Sequence, residues 1–415
     1  MIVAGGIYRE RCVLPHWDQL FGSGLRAAAA VGRLSPETRL FAYCPSTWNR
    51  DVQTSAGSFQ VHFEPQASAQ AITFDWFHPF SEPSVTVEAD GGADGAGDAC
   101  TPGEQAVPSA FHVRGEAVVR FGFRECRSWR RDDPATGSVV VAARAVYDPQ
   151  RATEPFRANG SHADELAIVV SEPELFANSG TAGNLKEAVQ VLMDRDDATV
   201  VVVRSGIGGG TVHLRGGQDF VIPAYRSEKV FRIGVGDVFT ALFALHWAER
   251  GASPEDAAAL ASLAASEYSS SRSLPVDPSL DGRSLPILET DRSLGDVYLA
   301  AGTMGTGQRW LVEECRQALS NLGVTVFSPF LHLPLGKEGR ADYMIEAMKA
   351  SAAVLVLADD GGSATEFEAG VAAALNKPMV VLTSPDRAPS IRWDKCKVVD
   401  DLSSAIMNAA WAALS

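Results

Sequence analysis

Residues 352–383 constrain the fold more than any other stretch of this sequence. Ala353–Leu357 is a short run of branched and small apolar residues, and Met379–Leu382 is another. Between them lie a polar loop and an alanine-rich helical segment. An apolar run that short, without polar alternation, reads as a strand buried on both faces of a parallel sheet. The loop Asp359–Ser363 then leaves the carboxyl end of its strand, where open parallel sheets bind ligands. Glu366 and Glu368 follow, in or near the first turn of the helix, where the dipole favours an ionised carboxylate. A carboxylate held there suits a nucleophile or base. It equally suits a helix that simply stabilises its own N-terminus.

The same alternation runs through the chain. Met1–Gly6 reads as a strand ending in two glycines. Phe21–Leu34 reads as a Gly-rich turn entering a small-residue helix, where glycine serves close packing or close ligand approach. Further strands are expected at Thr38–Tyr43, Ser138–Tyr147, Leu166–Val170 and Thr199–Val203, with a helix at Asn184–Met193 and a hairpin from Val212 to Val221. Val230–Ala244 carries a glycine-flanked loop into an apolar helix with Asp237 at its mouth. Backbone amides of such a loop form an anion cradle. A carboxylate there can take a proton from an attacking hydroxyl, or serve as an N-cap. Ser253-Pro-Glu-Asp256 opens another helix with an N-cap and Pro at N1. Ala89–Pro108, rich in Gly, Ala and Asp, reads as a solvated insertion.

Both halves are therefore α/β. The second is a doubly wound parallel sheet of strands 297–300, 324–328, 353–358 and 378–382 with helices 308–322, 341–350 and 364–375. The expected domains are 1–285 and 296–415, joined by a Pro-, Ser- and Asp-rich linker at 286–295. The two halves show no repeat of one another.

A formal charge of −15 in 415 residues argues against nucleic-acid or acidic-membrane partners. The six cysteines are scattered without a C-x-x-C pair, which points to free thiols in a reducing compartment and to no metal site. The N-terminus lacks a basic and apolar leader pattern, and no apolar run reaches 18 residues; the expected location is the cytoplasm.

Several ordered motifs of the last 120 or so residues resemble the nucleoside 2-deoxyribosyltransferase family and its N-glycosidase relatives. They are Tyr298-Leu-Ala-Ala-Gly302, Ser328-Pro-Phe330 and Gly362-Ser-Ala-Thr-Glu-Phe-Glu368-Ala-Gly370. The resemblance places the family's nucleophilic glutamate on Glu368 and its base-contacting aspartate on Asp342. Tyr298 is then expected to orient Glu368. The family's loop aspartate falls on Gly362, a departure for which Asp359 or Asp360 can substitute beside Ser363. The loop Gly302-Thr-Met-Gly305-Thr-Gly307-Gln-Arg309 either makes tight turns or cradles a phosphate with Arg309 as charge partner, as in nucleoside 5′-monophosphate N-glycosidases. Lys337 and Arg340 either add to that charge or are solvated. Family sites are often completed by a neighbouring subunit, so a homodimer or larger homo-oligomer is expected, with Ile391–Trp411 near the interface. No cofactor is implied for this half.

The first half resembles the ribokinase (PfkB-type) sugar and nucleoside kinases. The matching elements are Gly5-Gly6, Gly24 with Ala27-Ala28, Asp148-Pro-Gln150, Ser171–Glu174, Arg204-Ser-Gly206 with Gly209, and Gly234-Val235-Gly236-Asp237-Val-Phe239. The resemblance puts the catalytic base on Asp237, the anion hole on the Gly234–Gly236 amides and a metal-associated glutamate on Glu174. ATP and Mg2+ would be the cofactors of an active kinase. The departures are Arg26 for a substrate-contacting asparagine, Phe231 and Arg232 for the aspartate and threonine opening the signature, and Ser171 for the motif asparagine. Arg26 and Arg232 would suit an anionic ligand or be ordinary surface arginines.

Three functions follow as expectations. One is an N-glycosidic-bond enzyme acting through Glu368 on a nucleoside or nucleotide. Another is a sugar or nucleoside kinase using Asp237, with the second half as a ligand sensor. The last is a nucleotide sensor without turnover. A fusion of such halves suits nucleotide metabolism, with stress or phage defence as one setting.

Overall fold

The computed structural model describes residues 1–68, 70–89, 110–122, 137–150, 154–181, 183–280, 285–289, 294–302, 305–333, 340–358, 363–384 and 395–414. The expected insertion at Ala89–Pro108 falls almost wholly outside them. The chain forms two compact units, one of Met1–Ser227 and Arg232–Pro286, the other of Glu228–Phe231 and Ile287–Ser415. Both are α/β, with sheets that are mainly parallel in the first and wholly parallel in the second.

In the first unit the described strands are β1 (Ile2–Ala4), β2 (Arg9–Cys12), β3 (Trp17–Leu20), β4 (Arg39–Pro45), β5 (His62–Ser68), β6 (Gln70–Trp76), β7 (Ser84–Ala89), β8 (Phe111–Phe121), β9 (Ser138–Asp148), β10 (His162–Ser171), β11 (Val200–Arg204), β12 (Gly210–Leu214) and β13 (Asp219–Ile222). Its helices are α1 (Gly22–Val31), α2 (Asn49–Ser58), α3 (Glu172–Ser179), α4 (Leu185–Asp196), α5 (Val235–Ala244) and α6 (Pro254–Ser271). The main sheet runs β13-β12-β11-β10-β9-β8-β1-β4-β5, parallel from β11 to β5 and closed at the other edge by the antiparallel hairpin β12–β13.

β11 shows why the valine run had to be central. Val200 and Val202 pack into the layer holding α1, α5 and α6, while Val201 and Val203 pack into the layer holding α3 and α4. Successive side chains of a strand alternate faces. Four fully buried valines, each worth roughly 1.5–3 kcal/mol, fix such a strand in the interior. The turn into α1 resolves as close packing. A Cβ on Gly24 would lie 2.7 Å from the Gly5 carbonyl carbon, and Gly22 adopts φ +65 with its Cβ position 2.5 Å from the Gly6 oxygen. Glycine lets α1 lie directly on the end of β1.

A second sheet, β3-β2-β6-β7, stands beside the main one. β2 pairs in parallel with β6, and Tyr8, Ile72 and Phe74 form its small apolar cluster.

In the second unit the elements are β14 (Val297–Ala301), α7 (Thr306–Asn321), β15 (Val326–Phe327), α8 (Pro329–His332), α9 (Arg340–Ala350), β16 (Ala353–Leu357), α10 (Ser363–Ala374), β17 (Met379–Leu382), β18 (Cys396–Val399) and α11 (Leu402–Ala412). The sheet order is β15-β14-β16-β17-β18. That is a doubly wound sheet whose order reverses between β14 and β16, and the crevice beyond their carboxyl ends is the expected ligand position. Tyr298, Ala300, Val354, Val356 and Val381 face α9 and α10. Leu299, Leu355 and Val380 alternate to the opposite face, on which α11 packs against β16, β17 and α7. The expectation that Ile391–Trp411 lies near an interface is corrected for α11. Leu402–Trp411 is buried within the unit, because the alanines of this helix bring it down onto the sheet.

Among the described residues, no helix is long and apolar enough to cross a membrane.

Candidate functional sites

In the second unit, α10 buries Thr365, Glu368, Ala369 and Ala372, a face with helical spacing that lies on β14 and β16. A glutamate on an otherwise small apolar face is costly to bury without polar neighbours. Glu368 is 4% exposed. It stands in the second turn of α10, whereas Glu366 is the first-turn acid. The helix-dipole argument therefore applies to Glu366, since the effect fades beyond the first turn. Glu368 lies close to Tyr298. That side chain comes up from β14, is fully buried, and its hydroxyl has no hydrogen-bond partner among the described residues. Burial, and then the negative charge of Glu368, push the phenol well above its usual range, while Arg340 opposes. The phenol stays a neutral hydrogen-bond donor beside the carboxylate.

Arg340 opens α9 and donates to the Leu333 carbonyl at 2.9 Å and to the Pro329 carbonyl at 3.3 Å, pinning the short α8. Phe327 stacks between Tyr298 and His332, at centroid distances of 5.6 and 5.2 Å. The Ser328 hydroxyl and the Gln308 amide nitrogen are also buried without partners among the described residues. Both lie within motifs of the sequence, Ser328-Pro-Phe330 and the Gly302–Arg309 loop, although neither side chain was assigned a role there.

The glycines after β14 are not explained by packing. Gly305 caps α7 at φ −65 without a side-chain bond, and a Cβ on Gly305 or Gly307 would meet nothing within 4 Å. Gly302 is buried and ends β14's approach to this turn. Arg309 is exposed, with its guanidinium 5.9 Å from the Phe330 ring. Asp342 is exposed in the first turn of α9, so the structure buries Tyr298 and Glu368 together and leaves Asp342 at the surface. Ser363 is the exposed first residue of α10; Asp359, Asp360, Gly362 and Lys337 lie outside the described residues.

The first unit gathers its charges at the mouth of α5. Gly234 caps the helix in the left-handed region at φ +79, with no side-chain cap, and Asp237 is the third helical residue rather than the N-cap. A Cβ on Gly234 would sit 2.1 Å from Arg26 Nε, and one on Gly236 would sit 2.1 Å from Arg204 Nη1. The two glycines thus admit two guanidinium groups against the helix mouth, on either side of Val235.

Arg26 is no surface arginine: its side chain is 1% exposed. It donates through Nη1 to Asp237 Oδ2 at 2.8 Å, through Nε to the Tyr268 hydroxyl at 3.1 Å, and through Nη2 to Glu10. Tyr268 in turn donates to the Ile233 carbonyl at 3.1 Å, and Gln150 Nε2 donates to Asp237 Oδ1 at 3.2 Å. Burial raises the pKa of Asp237 and of Glu10, and Arg26 opposes it in both. One guanidinium cannot fully compensate two buried carboxylates. Arg232, by contrast, is exposed, its guanidinium 4.2 Å from the Phe80 ring.

Beside this triad Arg204 Nη2 lies 3.5 Å from Glu174 and 3.8 Å from Asp148. Asp148 accepts from Thr240 Oγ1 at 2.8 Å and is pushed up to about 7, first by burial and further by the charge of Glu174, with Arg204 opposing. Glu174 itself accepts from the Ser171 amide and hydroxyl, both at 2.7 Å, in the capping box of α3. Gly206 is exposed in the turn after β11. Sequence reasoning missed Glu10 and Tyr268 altogether. The signal for Glu10 was the alternation Arg9-Glu-Arg-Cys12, which puts this acid on the inward face of β2.

No protein-family model matches the chain, and no curated protein matches it. Among solved structures, the chain is similar over 68% of its length to a fructokinase from Vibrio cholerae O395 in a fructose-, ADP- and calcium-bound form, at 16% identity, 97% coverage of that chain and a TM-score of 0.46. It is similar over the same share to a ribokinase from Thermotoga maritima, at 13% identity, 97% coverage and a TM-score of 0.45. A phosphofructokinase-2 variant from Escherichia coli matches at 12% identity, 96% coverage and a TM-score of 0.46. These scores are too low to place the chain in a family.

Proposed function

We propose that the second unit cleaves or transfers the N-glycosidic bond of a (deoxy)nucleoside or nucleoside 5′-monophosphate, with Glu368 as nucleophile. The observation that carries this reading is the buried Glu368 carboxylate on α10 beside the neutral, buried hydroxyl of Tyr298, the second residue of β14. A Glu368 oxygen bonds to the anomeric carbon as the carbon–nitrogen bond breaks, and that electron pair leaves with the base nitrogen, which is protonated. The transition state is oxocarbenium-like. Water, or a second base, then takes the sugar from Glu368 and restores the carboxylate. Tyr298 acts as a positioning residue in this reading, its neutral hydroxyl donating to a Glu368 oxygen once the substrate draws the two together. Asp342, exposed at the rim, is the proton source for the leaving base in this reading. The open mouth of α7 at Gly305 and Gly307, with Arg309, favours a 5′-phosphorylated substrate. Self-association into a homodimer or larger belongs to the same reading.

For the first unit, the order of motifs supports a ribokinase-like fold with Asp237 at the position of the base. Its residues do not suit Mg2+ as that family would hold it. Glu174 is committed to the Ser171 capping box and faces Arg204, and the described residues hold no cluster of three or more metal-binding side chains. No step through a metal is assigned to it.

The test is chromatography of nucleosides, nucleotides and NAD after incubation with the protein, beside Glu368→Gln and Asp237→Asn. Free base from wild type and Asp237→Asn, but not from Glu368→Gln, is the expected result. ATP consumption that needs Asp237, with no free base from any substrate, would sink the glycosidase reading in favour of a kinase with a sensor unit.

A further inference from the structure

We propose that the Glu10–Arg26–Asp237 triad is an internal latch that withdraws Asp237 from acid–base service, so that the first unit does not transfer phosphate. This rests on the ribokinase-like reading of that unit and goes beyond it.

A general base must offer a lone pair to the proton that it removes. Each oxygen of Asp237 already accepts one hydrogen bond, Oδ2 from Arg26 at 2.8 Å and Oδ1 from Gln150 at 3.2 Å, and the Arg26 charge lowers the basicity of the lone pairs that remain. Arg26 is always protonated, so it cannot relay a proton as a histidine would. Its guanidinium also fills the space against the helix mouth, where even the Cβ of an alanine at 234 would fall 2.1 Å from Nε. An acceptor hydroxyl approaching Asp237 from that side would have to displace it. Displacement is opposed from three elements at once: Glu10 on β2, Asp237 on α5 and the Tyr268 hydroxyl on α6 all hold the one side chain. Swinging Arg26 away would leave two buried carboxylates without their cation, which is far costlier than never burying them. Glu10 belongs to the four-stranded sheet, so the latch also ties that sheet to the helical layer.

Two measurements test this: phosphoryl transfer from ATP or pyrophosphate to a panel of sugars, polyols and nucleosides, and thermal unfolding. In a working kinase, replacing the base abolishes transfer and leaves the unfolding midpoint unchanged or higher. The latch requires that wild type shows no transfer, that Asp237→Asn and Glu10→Gln each shift the midpoint little because one carboxylate still holds the guanidinium, and that the double variant loses several degrees because the guanidinium is then stranded. Transfer by wild type that Asp237→Asn abolishes overturns the latch. The underlying reading is tested apart with Arg26→Asn, its fold checked by circular dichroism. Transfer that appears in this variant, or an ADP-induced rise in its midpoint, supports both. A folded variant that ignores ADP and ATP, alongside a destabilised Glu10→Gln/Asp237→Asn double variant, overturns the kinase-like reading and reduces the triad to a structural clamp.

Discussion

Asp237 and Glu368 are both buried carboxylates on helices, yet their surroundings differ in kind. Asp237 meets a permanent cation, and that cation is itself held by a second acid and a tyrosine. Glu368 meets a neutral phenol whose hydroxyl no described residue engages. The ion pair on Asp237 lowers the basicity that acid–base work needs, whereas the neutral phenol beside Glu368 adds no charge of its own. Burial alone does not mark a catalytic acid; the partner decides.

The sharpest way to break this contrast is Glu368→Gln. It is expected to reduce release of free base by at least about a thousandfold, the scale seen when a nucleophile is removed, while leaving thermal stability intact. Next comes Arg26→Met, which strands two acids in the interior. Urea unfolding is expected to show a loss of about 3–5 kcal/mol, with no gain in base-release rate. Tyr298→Phe follows. A hydrogen bond to a charged group is worth about 1.5–3 kcal/mol, so kcat should fall roughly 10- to 150-fold. KM should hardly move, a split that a merely structural tyrosine would not produce.

Asp148→Asn probes the first unit more gently. The folded pKa of Asp148, about 7, lies above that of an unfolded aspartate, so its protonated form favours folding. That contribution is complete in acid and is lost as pH rises toward and through 7. Wild type should therefore lose stability between about pH 4 and 7, and Asp148→Asn should flatten the slope in pH-dependent melting curves. The smallest effect is expected from Gly307→Ala. Its Cβ would enter open space inside α7, so stability should rise by up to about 1 kcal/mol. If the mouth of α7 receives a 5′-phosphate, KM should rise for nucleotides and stay level for nucleosides.

The parts of the fold legible in the sequence are those fixed by local composition. Val200–Val203 and Ala353–Leu357 needed no partner to be read as interior strands, and Ser253-Pro254 announced its helix. The four-stranded sheet was not legible. Arg9–Cys12 and Trp17–Leu20 are half polar, and β2 finds its parallel partner only at Thr73–Trp76. The candidate sites divide along the same line. Glu368 and Tyr298 sit on motifs a few residues long, and the motifs located them. Arg26 could be read only as a ligand contact or a surface charge, because its partners lie 16, 211 and 242 residues away and no local pattern carries them.

The latch has a consequence for synthesis. Arg26 leaves the ribosome 211 residues before Asp237. At about 5–20 residues per second, that is roughly 10–40 s during which the first helix carries a cation whose partner on α5 does not yet exist. The amino-terminal strands and α1 therefore cannot settle as they emerge, and a chain truncated before α5 is expected to retain them only as a client of chaperones.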